Sequence, residues 1–188
     1  MKYSKSFLRK RSLSIRRKKF STIKKINFHL IFNLIKKYFN KKKIIIAGYY
    51  PSNFELDIMN FLKEAYSKKF IISLPVITSS NKMCFRTWPY KEPLQINKFG
   101  ILEPDKSNKE VLPDLFLVPL VAFDKKLNRI GYGKGYYDRY LKKISKIKKN
   151  VISLGIAYSF QKCQKIPTNK HDFKLDYIFT EKGIIKSK

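Results

Sequence analysis

Histidine and cysteine are scarce in this 188-residue chain, with two of each. His29 and His171 are too few for a histidine-built metal centre. Cys84 and Cys163 lack the spacing of a zinc or iron–sulfur cluster and suit a reducing compartment. No apolar run approaches the ~20 residues that span a bilayer. No internal repeat is visible. Acids are scarce as well: 13 Asp and Glu stand against 42 Lys and Arg, a formal net charge of +29. Such a charge attracts polyanions, nucleic acid included. The lysines, however, are spread along the whole length among isoleucines and asparagines. That reads as compositional drift, as an AT-rich coding sequence produces, rather than one evolved patch. The first 25 residues are basic, contain serine and lack acids, which overlaps with an organelle transit peptide. Phe7, Leu8 and Ile15 also fit one face of an amphipathic helix, and a retained helix in a bacterial-type cytoplasmic protein is the preferred reading.

Glycine is sparse too, seven in all, yet three glycines alternate at Gly131, Gly133 and Gly135 within N-R-I-G-Y-G-K-G-Y-Y-D-R-Y-L (residues 128–141). Glycine permits positive φ and close approach to a ligand. A loop feeding a helix start offers unpaired N–H groups and the positive end of the dipole. Arg129, Lys134 and Arg139 place cations beside it, so the segment suits a phosphate group. It is not a Walker loop, because Tyr136 and Tyr137 stand where Lys-Ser/Thr is required. It is not the dinucleotide fingerprint either, because position 136 is not glycine. The bland alternative is a glycine-rich turn between a buried strand and a helix.

Periodicity predicts helices over 4–18 and 21–39, the second with Ile23, Ile26, Leu30, Leu34 and Tyr38 on one face. A strand over 43–49 leads through a turn at 50–53 to a helix with Phe54, Ile58, Phe61, Leu62 and Ala65 inward. Strands follow at 70–76 and 83–88. Residues 89–113 hold four prolines and form an active-site-sized loop region with room for a hairpin. Residues 115–123 are nearly all apolar, as in a covered central strand, with Pro119 marking a bulge or a strand end. Tyr137, Tyr140, Leu141, Ile144 and Ile147 mark a helix face, and strands at 151–157 and 177–180 close the chain. Strands alternating with helices argue for an α/β sandwich with a largely parallel sheet, as one domain over 1–188.

In such sheets ligands sit beyond the carboxyl ends of the strands. Ser52-x-x-Glu55 matches a helix capping box, and Glu55 could equally accept hydrogen bonds from a ligand amine or amide. Asp138 could pair with Lys142 four residues on, or hold Mg²⁺ beside phosphates. Arg139 is either surface charge or a phosphate clamp, and Arg129 is the better clamp by position. Asp172 and Asp176 read as turn and cap residues, or Asp172 joins Asp138 on a metal.

Several motifs then line up in order: Lys5-x-x-Leu8-Arg9; Tyr50 through Glu55-Leu56-Asp57; Leu74-Pro75; Met83-x-Phe85-Arg86; Gly100-Ile101-Leu102-Glu103-Pro104; Ala122-Phe123-Asp124; R-x-G-x-G-x-G-Y-Y-D from Arg129; Gly155-Ile156-Ala157; and Pro167 to Asp176. Together they resemble the 5-formyltetrahydrofolate cyclo-ligase family over essentially the whole chain. The resemblance implies a Rossmann-like three-layer α/β/α sandwich with N-terminal helices, monomeric or homodimeric. It implies consumption of MgATP to convert 5-formyltetrahydrofolate, with or without a polyglutamate tail, to 5,10-methenyltetrahydrofolate. By the same resemblance Lys5 and Arg9 meet ATP phosphates. Arg129, Gly131, Gly133, Lys134, Gly135, Tyr136 and Tyr137 wrap the nucleotide, and Arg129, Lys134 and Arg139 act in catalysis. Tyr50 and Glu55 bind folate, and Asp138 and Asp172 hold Mg²⁺. Tyr132 occupies a variable position of the motif. Loss of Asp138 is then expected to stop turnover and leave the fold intact. No membrane and no specific nucleic acid is expected as partner; the competing reading is a basic RNA-binding protein without catalysis.

Overall fold

The computed structural model describes residues 3–23, 25–39 and 43–186. Helices are α1 (Lys5–Lys19), α2 (His29–Tyr38), α3 (Met59–Ser67) and α4 (Tyr136–Ile147). Strands are β1 (Ile45–Ala47), β2 (Ile71–Ile77), β3 (Met83–Thr87), β4 (Gln95–Ile96), β5 (Leu102–Glu103), β6 (Glu110–Val111), β7 (Leu115–Pro119), β8 (Ala122–Phe123), β9 (Arg129–Ile130), β10 (Ile152–Ile156), β11 (Tyr177–Thr180) and β12 (Gly183–Lys186). Eight of them form one sheet in the order β12-β11-β10-β7-β1-β2-β3-β6. The five strands from β11 to β2 are parallel, and β12, β3 and β6 add antiparallel margins.

The apolar run from Leu115 becomes the middle of the sheet because both of its faces are covered. Leu115 and Leu117 join a core with Ile31, Leu34 and Ile35 of α2 and Phe61 and Leu62 of α3. Phe116 and Val118 point the other way, onto Leu141 and Ile144 of α4. This alternation of period two makes one strand serve two layers. Gly155 of β10 has no room for a side chain, since a Cβ there would lie 2.5 Å from Ile178 and 2.7 Å from Leu175. The helix α1 packs apart from both layers, with Leu8 against Val121, Ala122, Ile130 and Ile166.

Two expectations need correction. The second helix does not run over 21–39, a range whose residue 24 lies outside the described residues. After a 3₁₀ turn at Phe20–Thr22, residues 23 and 25–28 are non-helical, and α2 begins at His29. Asn27 explains the late start: its side-chain oxygen takes the His29 amide at 2.9 Å, a local bond that competes with a continuing helix. In this helix Ile31, Leu34 and Ile35 face inward, whereas Leu30 and Tyr38, expected on the inner face, are exposed. The third helix starts at Met59, where Asp57 Oδ1 accepts the Met59 amide at 2.7 Å; Phe54 stands outside it, exposed. The run 115–123 divides where its proline marked a strand end: β7 stops at Pro119, and β8 pairs separately with β9. The loop region 89–113 does hold a hairpin, β4–β5, and also supplies β6, while β12 has no counterpart in the sequence reading.

Candidate active site

A cavity of about 670 Å³ opens beyond the carboxyl ends of β1, β2 and β7. Its walls come from the turn after β1, the ends of β2 and β7, the hairpin β4–β5, the glycine loop with the start of α4, the first turns of α1, and residues 169–172. Every site residue expected from the sequence lines it: Lys5, Arg9, Tyr50, Glu55, Arg129, Gly131, Gly133, Lys134, Gly135, Tyr136, Tyr137, Asp138, Arg139 and Asp172.

The glycine loop connects β9 to α4. Gly133 (φ +103°) and Gly135 (φ +68°) are left-handed, and Gly135 is the N-cap of α4 without any side-chain cap. The first amides of α4 therefore keep their donors for a ligand, at the positive end of the helix dipole. The loop's own carbonyls are taken by arginines. Arg9 Nε donates to Gly131 O at 2.7 Å, and Arg139 Nη2 to Lys134 O at 2.8 Å, while Arg139 Nε reaches Asn81 O at 3.0 Å. Arg139 is thus a brace of the loop as well as a charge at its mouth. Lys134 is exposed.

Arg129 is buried, and burial lowers its pKa from the ordinary value, opposed chiefly by Asp138. Its Nη1 donates to Phe173 O at 2.7 Å and its Nη2 to Asp138 Oδ1 at 2.8 Å. The same Oδ1 accepts the Phe173 amide at 2.9 Å. Asp138 therefore pairs with Arg129; Lys142 instead donates to Lys170 O. Asp172 is gripped by Lys5, whose Nζ lies 2.6 and 2.5 Å from its two oxygens, and its Oδ2 also accepts the Asn169 amide at 2.7 Å. Burial pushes the Asp172 carboxyl up, but Lys5 and the Asn169 amide outweigh it and hold it below the usual carboxylate range. Asp176 serves the fold, accepting from Ser153 N at 2.8 Å and Ser153 Oγ at 2.6 Å.

On the opposite wall, Asn53 (φ +47°) and Phe54 (φ +61°) are consecutive left-handed residues. That conformation is strained for a phenylalanine; its ring rests on Phe20, with centroids 4.7 Å apart. The reversal drives Glu55 inward, to 9% exposure. Glu55 Oε2 accepts from Ser52 N at 2.9 Å, so the Ser52–Glu55 pair closes a turn and does not cap a helix. Burial raises the Glu55 pKa, against the Ser52 amide, the Tyr132 hydroxyl and the Arg16 charge. Tyr50 is exposed beside it.

The donor set for Mg²⁺ is limited. Among the described residues no group of three His, Cys, Asp or Glu side chains could hold a metal. Asp138 and Asp172 remain two hard oxygen ligands on one cavity, both acting on Arg129. That fits an ion held by one or two carboxylates and completed by substrate phosphates and water. Asp172 could serve only if Lys5 released it.

These features match one known family. The model of the "5-formyltetrahydrofolate cyclo-ligase family" matches residues 1–181. The chain belongs to that family. A 5-formyltetrahydrofolate cyclo-ligase of Haemophilus influenzae is 35% identical over 136 residues, 69% of this chain and 72% of that protein. Among solved structures, the 5,10-methenyltetrahydrofolate synthetase of Aquifex aeolicus is similar at TM-score 0.72 and 29% identity, covering 97% of this chain and 92% of that one. The 5,10-methenyltetrahydrofolate synthetase of Mycoplasma pneumoniae gives TM-score 0.70 and 28% identity, covering 95% and 99%. The chain is accordingly a ligase of the cyclo-ligase fold.

Sequence reasoning missed part of this family member's cavity. Phe99, Ile101 and Glu103 come from the hairpin β4–β5, a segment read as a loop with room for a hairpin and, at 100–104, as a matching motif, but given no site role. Glu103 Oε1 anchors that hairpin by accepting from Ile77 N at 2.8 Å and Asn97 Nδ2 at 2.5 Å. Asn169 and His171 lie within the quoted segment 167–176 but carried no expectation of their own. Arg16 escaped notice altogether: in S-I-R-R-K-K nothing separates it from Arg17, yet Arg16 is 1% exposed and Arg17 faces solvent.

Proposed function

We propose that this chain closes 5-formyltetrahydrofolate to 5,10-methenyltetrahydrofolate at the expense of ATP, releasing ADP and phosphate. One observation carries the reading. A capless helix start with left-handed glycines and flanking cations faces, across a single cavity, the buried carboxylate Glu55. The first wall suits phosphate groups. The second suits the N–H groups of a pterin-like ring, because a carboxylate is an acceptor only.

A formamide oxygen is a poor leaving group. In the proposed reaction that oxygen attacks the γ-phosphorus of ATP, the bond to ADP breaks, and the oxygen becomes part of a phosphate ester. The N10 lone pair then attacks the activated carbon, N10 loses its proton, and phosphate departs with the former formyl oxygen. Such chemistry asks the protein for positioning and charge neutralisation rather than for a nucleophile. The α4 amides hold the phosphates. Lys134 and Arg139 stand at the loop, and Lys5 and Arg9 close over it from α1. Arg129, fixed by Phe173 and Asp138, acts through its charge. Asp138 and Asp172 would hold Mg²⁺, which neutralises triphosphate charge when bound. Glu55 and Tyr50 hold the folate. The same reading makes residues 1–188 one catalytic domain, cytoplasmic, as monomer or homodimer.

Purified protein with 5-formyltetrahydrofolate and MgATP should develop the near-ultraviolet absorbance of the methenyl product. No product together with no folate-dependent ADP release rejects the proposal. The RNA-binding alternative has the net charge of +29 and twelve tyrosines in its favour, and it leaves the glycine loop and the acids beside it without a role.

A further inference from the structure

We propose that Tyr132 is a positioning residue: its hydroxyl links buried Arg16 to Glu55 and keeps Glu55 an anion aimed into the folate half of the cavity. The geometry is a three-member chain drawn from three separate segments. Arg16 Nη2, on α1, donates to Tyr132 Oη at 2.5 Å, and Tyr132 Oη, on the glycine loop, donates to Glu55 Oε1 at 2.8 Å. Arg16 is 1% exposed, its guanidinium carbon lies 5.6 Å from the Tyr132 ring centre, and its Nη1 donates to Leu120 O at 3.2 Å.

A buried guanidinium is strongly unfavourable unless paired. Among the described residues Arg16 makes no direct ion pair, and its buried Nε has no partner. Its counter-charge is Glu55, reached through the phenol. Tyrosine can do this because its oxygen accepts from one neighbour while its proton goes to the other, and each bond polarises the next. Tyr132 as a residue is 41% exposed, so its place in the loop is not explained by core packing.

The surroundings of Glu55 favour this assignment. Burial alone pushes its carboxyl up, and the Ser52 amide, Tyr132 and Arg16 work against that. Tyr49, on the turn after β1, and Tyr137, on α4, also face Glu55, and burial raises both phenols, so they stay uncharged. Arg16 is therefore the cation that offsets the Glu55 charge. Without Tyr132, both Arg16 Nη2 and Glu55 Oε1 lose a partner, and the carboxyl takes a proton more readily.

The role of Glu55 in holding folate rests on the proposed function; the relay itself does not. The test is Tyr132→Phe, which keeps the ring. The Glu55 carboxyl is titrated by carbon-13 NMR, with Glu55→Gln assigning its resonance. In Tyr132→Phe the midpoint should move to higher pH. The acid limb of kcat/KM for 5-formyltetrahydrofolate should move with it, with a loss of about tenfold and an unchanged KM for ATP. In the Glu55→Gln background, Tyr132→Phe should change kcat/KM little. An unmoved midpoint, or an equal loss in both backgrounds, overturns the proposal. If Tyr132→Phe fails to fold, Arg16→Met is titrated instead, with the same expected direction and the same refuting result. Absence of methenyl product in the unmutated chain would sink the proposed function, while the titration would still decide the relay.

Discussion

Removing the Asp138 carboxylate perturbs fold and site together, and the two effects can be separated. The Arg129 side chain is 4% exposed and Asp138 27%. In Asp138→Ala the guanidinium keeps Phe173 O but loses its counter-charge, and the Phe173 amide loses its acceptor. Breaking a buried pair costs about 3–5 kcal/mol, and the partial exposure of Asp138 argues for the lower end, about 3 kcal/mol. The stranded amide adds about 1 kcal/mol. A chain of this size loses roughly 2–4 °C in Tm per kcal/mol, so the drop should be on the order of 10 °C. The buried pair adds to the expectation of an intact fold: Asp138→Ala should fold but melt lower. Asp138→Asn keeps an oxygen acceptor in place and should lose only about 1–2 kcal/mol, the difference between a charged and a neutral hydrogen bond. It is the cleaner probe of chemistry, and its turnover should fall at least about a hundredfold, since the charge pair and the proposed metal-ligand role both go. Thermal unfolding followed by circular dichroism measures the first quantity and methenyl absorbance the second. An Asp138→Ala Tm within about 2 °C of the unmutated chain would refute the charge-balance reasoning. An unchanged rate in Asp138→Asn would remove Asp138 from the site.

Gly135→Ala should lose about 1–2 kcal/mol and raise the KM for ATP, because its φ is +68° and a Cβ would lie 2.9 Å from Arg139 Nη1. Gly131→Ala, with nothing within 4 Å of its Cβ, should melt as the parent does; equal Tm losses in the two variants would contradict this contrast. Because the Asp172 pKa is depressed in the folded state, the Lys5–Asp172 pair supports the fold above the unfolded carboxyl value of 3.8 and loses that support as pH falls through the lower folded value. Lys5→Met should therefore lose less Tm than the parent between about pH 5 and about pH 2; with both groups about a quarter exposed, the difference stays within about 1 kcal/mol, and identical acid profiles would count against the pair. RNA affinity should fall steeply with added salt, as for unspecific attraction by the +29 charge; sequence-selective binding that survives moderate salt would revive the RNA reading. Calorimetry should show adenine nucleotide binding that needs Mg²⁺, and heat without any magnesium dependence would count against Asp138 and Asp172 as ion ligands.

Helix boundaries at α2 and α3 were hard to read for one shared reason. Ile23, Ile26, Phe54 and Ile58 keep helical spacing, yet a side chain of Asn27 or Asp57 takes a backbone amide and starts the helix later. Spacing reports apolar content, and it does not report which local bond wins. The short strands β8, β9 and β12 each depend on a partner strand and carry too few residues for a period of their own.

By itself the sequence determined the layered α/β class, the central strand at Leu115–Pro119, the inward face of α4 from Tyr137 to Ile144 (though not the exposed Ile147) and the position of the glycine loop, because these rest on local chemistry: apolar alternation, helical phase and backbone freedom. Tertiary structure alone decided the partners of the charges. Arg16 and Arg17 are the same residue type side by side, and only the packing of α1 against Val121, Ile130 and Ile166 sends one inward to Tyr132. Likewise Asp138 meets Arg129, and Lys5 meets Asp172 across 167 positions of chain. Coulomb attraction depends on distance in space, and that distance exists only once the chain has closed on itself.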